Sequence, residues 1–339
     1  MALRLIEIVL PDENSEGVQG LLKEQQLLGI WYERLSEGQT LVKILLLAEK
    51  TEAVLDILEK NFSMINGFRT IILPVEASIP RPEPKEETLP EKEEPPPEKG
   101  PEIKVARISR EELYEDIIDT TKLSNIYIAM VLLSSLVAAF GLLSNNVAVI
   151  IGAMVIAPML GPNVALSLAT TLGDIALARI ALKANVAGIL LALVISVFTG
   201  FILSVDPDIP EIASRTKVGL DGIVIALASG SAGVLAFTTG VSAILIGVMV
   251  AVALLPPLVA FGLLLGSGHQ LLALGALLLF LVNIICINLA GVVTFLAQGI
   301  HPKTWWEAEK AKKATRIAIA LWIILLSALI AAILLSQSG

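Results

Sequence analysis

From residue 123 onward the chain is built of long apolar runs, at about 125–143, 146–171, 180–204, 220–239, 241–266, 270–298 and 317–336. An α-helix rises 1.5 Å per residue, so each run is long enough to cross a hydrocarbon layer about 30 Å thick. Lipid offers the backbone no hydrogen-bond partner, and a single segment satisfies its own polar groups only as a helix. The pattern therefore predicts an α-helical polytopic membrane bundle of about seven spans over 123–339.

The first eighty residues follow a different rhythm. Residues 3–10 alternate and then run apolar, 15–26 have a helical period, and 28–37 and 39–48 look like paired strands around Glu37-Gly38. A second helix over 51–62, opened by Thr51, and a strand over 68–76 complete a β-α-β-β-α-β order. That order predicts a small α+β ferredoxin-like domain over 1–80. Residues 81–102 hold seven Pro, eight Glu and no aromatic residue, a composition that favours an extended, solvated spacer. Within 103–122 the capping box Ser109-x-x-Glu112, with Ile108 and Leu113 as a staple, opens an amphipathic helix that leads into the first span.

Charge adds orientation. The chain is 55% hydrophobic and 17% charged with a net charge of -8, and most of the acidic residues precede the spans. The opening segment has neither the apolar length nor the cleavage pattern of a signal peptide, so the N-terminal domain is expected in the cytoplasm. With that end inside a cell (inner) membrane, eleven Lys and Arg fall in inside segments. Only Arg215 and Lys217 fall outside, which favours an odd number of spans and an outside C-terminus. Before the last run, HPKTWWEAEKAKKATR reads as an interfacial helix anchored by Trp305 and Trp306.

Two segments resemble each other. VAVIIGAMVIAPMLGP (147–162) and SAILIGVMVAVALLPP (242–257) share seven of sixteen residues without a gap, and each lies in the second of three consecutive spans. Asn185 in the third span and Asn283 in the sixth extend the parallel. Two three-span units joined in sequence have opposite topology, so a 3+3 inverted repeat plus one span is expected. Interrupted helices at matching positions of such repeats point to a transport site. The interruptions expected here are Pro158, Gly161, Pro162 and Asn163 in the first copy and Pro256 and Pro257 in the second. Proline removes a backbone donor and frees a carbonyl one turn back. A half-helix starting at Asn163 would favour an anion, and the freed carbonyls a cation. The simpler alternative is a pair of proline-kinked helices packed for structural reasons.

Further polar positions lie along the fourth span. Small residues at Ala226, Gly230 and Gly233 suit close helix packing, while Ser229 and Ser231 can line a polar path and Asp221 sits at the outer end. Asn145 and Asn146 suit a tight turn. One cysteine, Cys286, excludes an intramolecular disulfide and a Cys-based metal site. No zinc motif, Ser/His arrangement or intramembrane aspartate pair is present, so no enzyme activity, metal or cofactor is expected.

The segments GLLSNNVAVIIGAMVIAPMLGP (141–162), SRTKVGLDGIVIALASGSAGVLAF (214–237), GVMVAVALLPPLVAFGLLL (247–265) and FLVNIICINLA (280–290) resemble, in this order, the domain-of-unknown-function 389 membrane family. The resemblance covers about 120–300 and singles out Arg215 and Thr216 as its Arg-Thr loop pair. Asn163 departs from the apolar residue expected after that proline. The resemblance supports the architecture and supplies no mechanism. The expected function is a transporter or channel for a small solute or ion, with a regulatory or oligomerising N-terminal domain and a homo-oligomeric assembly. The alternative is a non-transporting, membrane-anchored sensor or scaffold. The lipid bilayer is the expected partner and nucleic acid is not.

Overall fold

A computed structural model of the chain describes residues 3–35, 38–75, 78, 108–239, 243–300 and most positions of 315–331, with the backbone alone for 220 and 243–252. It divides into two compact units, Met1–Leu113 and Tyr114–Gly339.

In the first unit, β1 (Leu3–Pro11) is followed by two short helices, α1 (Asp12–Ser15) and α2 (Gly17–Leu21). Then come β2 (Gly29–Arg34), β3 (Gln39–Leu47), α3 (Ala48–Phe62) and β4 (Arg69–Val75). The strands form one antiparallel sheet in the order β2-β3-β1-β4. Alternation along β1 and β3 buries Ile6, Ile8, Leu10, Val42, Ile44 and Leu46 against Val18, Leu22, Val54, Leu55, Leu58 and Phe62 of the helices. Each such side chain contributes about 1.5–3 kcal/mol.

The expected helix over 15–26 is cut down to α1 and α2. Glycines at 17 and 20 weaken the helix, and the chain turns at Leu22. The second helix begins at Ala48 rather than Thr51, whose side chain is buried in its second turn. The Pro/Glu-rich segment lies outside the described residues, as do Trp305, Trp306 and the helix expected around them.

Helix α4 (Arg110–Thr121) starts with the first half of the expected capping box, the Glu112 N–H donating to Ser109 Oγ at 3.3 Å, and both Ile108 and Leu113 are buried. Glu112 also takes a two-pronged bond from Arg4 of β1, each arm 2.9 Å.

The regular secondary structure of the second unit, over its described residues, is all helical. It contains α5 (Asn125–Leu143), α6 (Val147–Ile156), α7 (Leu160–Leu172), α8 (Ile175–Ile202), the single turn α9 (Pro210–Ala213), α10 (Leu220–Thr239), α11 (Ala243–Gly266) and α12 (Gln270–Ala297). Helical residues between 315 and 328 follow. Four helices, α5, α8, α10 and α12, are long and apolar enough to cross a membrane, and α6 with α7 makes a fifth if counted as one bent span. The chain is a multi-pass membrane protein by this measure.

The junctions follow from sequence. Asn145 takes φ 52° in the tight turn after α5, and Asn146 caps α6 by accepting from the Val149 N–H at 3.2 Å. Gly173 ends α7 in the left-handed conformation (φ 69°) that a Cβ would oppose. Asp174 then caps α8, accepting from Ala176 and Leu177 at 2.9 and 3.0 Å.

Helix α11 packs against α5, α6, α8, α10 and α12. Its approach to α8 is backbone to backbone, because a Cβ at Gly200 would sit 2.8 Å from Leu263 Cα and one at Gly262 would meet Val197 N at 3.1 Å. Gly200→Ala is expected to destabilise the bundle by about 1–3 kcal/mol through overpacking. Gly152 on α6 has open space around its Cβ position, so Gly152→Ala should be neutral or stabilise by about 0.5–1 kcal/mol. Thermal unfolding of the two variants in detergent checks the contrast.

Candidate functional site

The break between α6 and α7 bends the pair by 53°. Its cause is local. Ala157 precedes Pro158 and is held extended (φ -67°, ψ 121°), which ends α6. Pro162 falls in the first turn of α7, where a missing N–H costs little. Gly161 allows the Thr120 carbonyl of α4 to approach so closely that a Cβ there would lie 2.7 Å from it. Helix α7 starts at Leu160, so Asn163 is its fourth residue rather than the opening of a half-helix.

A buried polar network grows from this break. Asn163, 1% exposed, donates through Nδ2 to the Met159 carbonyl at 2.8 Å and accepts on Oδ1 from Asn288 Nδ2 at 3.0 Å. Asn288, fully buried on α12, also donates to its own Ile284 carbonyl at 2.8 Å. One turn along α7, Ser167 Oγ lies 3.1 Å from the Asn163 carbonyl and 3.2 Å from the Asn288 carbonyl. Gly291 makes room for that hydroxyl, since a Cβ there would stand 2.6 Å from Ser167 Oγ. Three side chains on two helices thus tie the broken segment to α12.

The second copy of the repeat behaves differently. Helix α11 runs through Pro256 and Pro257 without interruption, so the break expected there does not occur. The alignment supplies the reason, because Pro158 of the first copy corresponds to Ala253 of the second, which keeps its N–H. The carbonyl that Pro257 leaves unpaired one turn back is that of Ala253, and Asn283 of α12 donates to it through Nδ2 at 2.7 Å. A side chain from a neighbouring helix replaces the backbone donor that proline lacks. Among the described residues Asn283 Oδ1 is buried with no partner, and so is Asn185 Nδ2 on α8.

The remaining sequence candidates divide between packing and surface roles. Ser229 is buried on α10 and Ser231 half-buried, while a Cβ on the intervening Gly230 would lie 2.6 Å from the Ile287 carbonyl of α12. That stretch is a close helix crossing. Asp221 is exposed in the first turn of α10. Arg215 pairs with Glu211 at 2.7 Å and donates to its carbonyl at 2.6 Å, and Thr216 Oγ1 donates to the Ala213 carbonyl at 2.8 Å. Both residues close the turn after α9, and the Thr216 backbone rests on Gly275 of α12.

Sequence reasoning passed over Asn288, Ser167 and Tyr114. Asn288 had a signal, as one of two asparagines inside a 28-residue apolar helix. Tyr114 had none. Its hydroxyl donates to Asp174 Oδ2 at 2.6 Å, and burial together with that bond pushes its pKa up to about 12.

Two comparisons bear on what this arrangement belongs to. Residues 154–289 match the family model described as a domain of unknown function, DUF389. The chain is also 37% identical over 330 residues to uncharacterized protein MJ0678 of Methanocaldococcus jannaschii, covering 97% of this chain and 98% of that one. The chain belongs to the DUF389 family. No solved structure matches it. The family match of this DUF389 protein spans the second half of α6 to the middle of α12, and so encloses the α6–α7 break, Asn283 and Asn288.

If Asn283 stands in for the missing proline donor, its value depends on Pro257. Asn283→Ala is expected to cost about 1–3 kcal/mol in the native chain by orphaning the Ala253 carbonyl. In a Pro257→Ala background, where the backbone N–H returns, the same change should cost at least about 1 kcal/mol less. A double-mutant cycle read by unfolding in detergent measures the difference.

Proposed function

We propose that this DUF389 protein is a membrane transporter or channel for a small solute or ion, without catalytic chemistry of its own. The carrying observation is the broken α6–α7 pair inside an apolar bundle, where Asn163 bonds the Met159 carbonyl at the break and Ser167 and Asn288 bond Asn163 in turn. Lipid cannot supply those bonds, so backbone freed from helical pairing within a membrane is tolerated where protein, water or a substrate takes its place. The unpartnered Asn283 Oδ1 and Asn185 Nδ2 add one buried acceptor and one buried donor in the same unit. All five side chains are neutral, so recognition there would work through dipoles rather than through a fixed charge.

In this reading α5 to α8 and α10 to α12 are the two three-span halves of an inverted repeat, α11 is a sixth span and the helical residues after 314 a seventh. The N-terminal domain lies in the cytoplasm and the C-terminus outside. The sheet order β2-β3-β1-β4 agrees with a ferredoxin-like domain, which serves here as a regulatory or oligomerising part.

A second reading, a membrane-anchored sensor or scaffold, is favoured by the closure of both proline sites. Asn163 and Leu258 are each only 1% exposed. The two readings differ in water access, which thiol labelling of Asn163→Cys and Leu258→Cys reports.

The deciding measurement is uptake and ion flux in proteoliposomes, screened over common ions and small metabolites. The Asn163→Leu/Asn288→Leu variant should fold and lose flux at least about tenfold, the equivalent of about 1.4 kcal/mol in the barrier. Unchanged flux in the folded variant removes the break from the pathway. Absence of flux for every solute, with both cysteines unlabelled, favours the anchored sensor.

A further inference from the structure

The first unit has one sheet face that its helices leave open. Opposite the core residues, the register sets four rows across the strands. They are Glu33–Leu41–Val9–Arg69, Trp31–Lys43–Glu7–Ile71, Gly29–Leu45–Leu5–Leu73, and Leu47–Leu3–Val75. Most of these positions are apolar, and Trp31, Ile71 and Leu73 are exposed, at 51%, 41% and 39%. The Trp31 ring reaches over Gly29, where a Cβ would collide with it, so the indole fills the one position without a side chain. An apolar face of this kind marks an interaction surface.

We propose that this face binds the same face of a second copy of the chain, around a two-fold axis parallel to the strands and midway between β1 and β3. Such an axis keeps each row at its own height and exchanges the strands in pairs. It lays β3 over β1 of the second copy, and β2 over β4. Most positions then meet a suitable neighbour, while Lys43 and Glu33 keep their 2.9 Å ion pair within the chain. Lys43 faces Glu7, Glu33 faces Arg69, Trp31 faces Ile71, Leu45 faces Leu5 and Leu41 faces Val9. Aligned sheets pack about 10 Å apart, which apolar side chains of this size fill.

The charges select both the occupant and the axis. A two-fold axis running across the strands through the second row would set Lys43 on Lys43 and Glu7 on Glu7, which is repulsive. An anionic lipid surface would call for net positive charge, whereas this face balances Lys43 and Arg69 against Glu7 and Glu33. Self-complementarity under one two-fold operation is the mark of an isologous dimer. The proposal builds on the oligomerising role given above to the N-terminal domain and is independent of whether the bundle conducts.

Cross-linking of the full-length protein in detergent tests it with a readout separate from flux. In a Cys286→Ala background, Trp31→Cys and Ile71→Cys are introduced together and singly, and treated with a bis-maleimide that spans about 10 Å, the separation expected between packed sheets. Within one sheet the two positions lie on opposite edge strands, three strand spacings or about 14 Å apart. The double variant should give a covalent dimer and neither single variant should. Adding Arg69→Glu should lower the dimer yield at least about tenfold by setting Glu against Glu33, and adding Glu33→Arg as well should restore it. Those two residues do not touch within one chain, so recovery reports a contact between chains.

No dimer from a double variant whose cysteines both react with a monofunctional maleimide overturns the proposal. So does equal cross-linking of the single variants, which would mean a different geometry. Protection of both cysteines by anionic vesicles without dimer formation would assign the face to lipid instead.

Discussion

Every helix break in the second unit is governed by one constraint, that a backbone group released inside an apolar bundle must find its partner within the protein. Prolines 158, 162, 256 and 257 release such groups in two places, and an amide of α12 stands at each, on the freed carbonyl itself at the second and on a neighbouring side chain at the first. Asn288 holds Asn163 beside the α6–α7 break, and Asn283 holds the Ala253 carbonyl below Pro257. Helix α12 is therefore more than a span. Asn283 satisfies a carbonyl that the α11 backbone cannot, Asn288 ties down Asn163 of α7, and packing of α12 against α7, α10 and α11 places both amides.

The same constraint explains why two similar segments have different shapes. In the first copy a proline at 158 removes a donor and forces the preceding residue out of helical geometry, so the helix stops and restarts. In the second copy the matching residue is Ala253, the helix continues, and one side-chain bond is enough. Resemblance of sequence thus conceals a choice made by a single position, and the two halves of the repeat are unequal in the groups they leave exposed.

Much of this architecture was legible in the chain. Apolar run lengths located α5, α8, α10, α11 and α12 to within a few residues, because in lipid length and hydropathy alone decide a span. Ser109 marked the start of α4 through its side chain, and Asn145 with Asn146 marked the turn after α5. The β-α-β-β-α-β succession of the first unit followed from its alternating and helical periods. Illegible were features that depend on partners distant in sequence. Asn288 pairs with a residue 125 positions away, and Tyr114 reaches Asp174 across 60. The continuity of α11 was hidden for the same reason, since Pro256 and Pro257 read as a break until the donor from Asn283 is seen.

The two units use opposite means to the same end. In the bundle, specificity comes from a few buried amides, because apolar surface is already solvated by lipid and drives little association between helices. In the first unit, water supplies the driving force. There the alternation that buries Ile6, Val42 and Ile44 on one face leaves Leu5, Leu45 and Leu73 on the other, and the proposed dimer would bury that second face. The charged positions on that second face are few, of both signs, and placed so that one symmetry operation cancels them. A membrane protein built this way would settle its assembly outside the bilayer, where burial of apolar surface is strong, and reserve the bilayer for the polar contacts that only a lipid environment makes decisive.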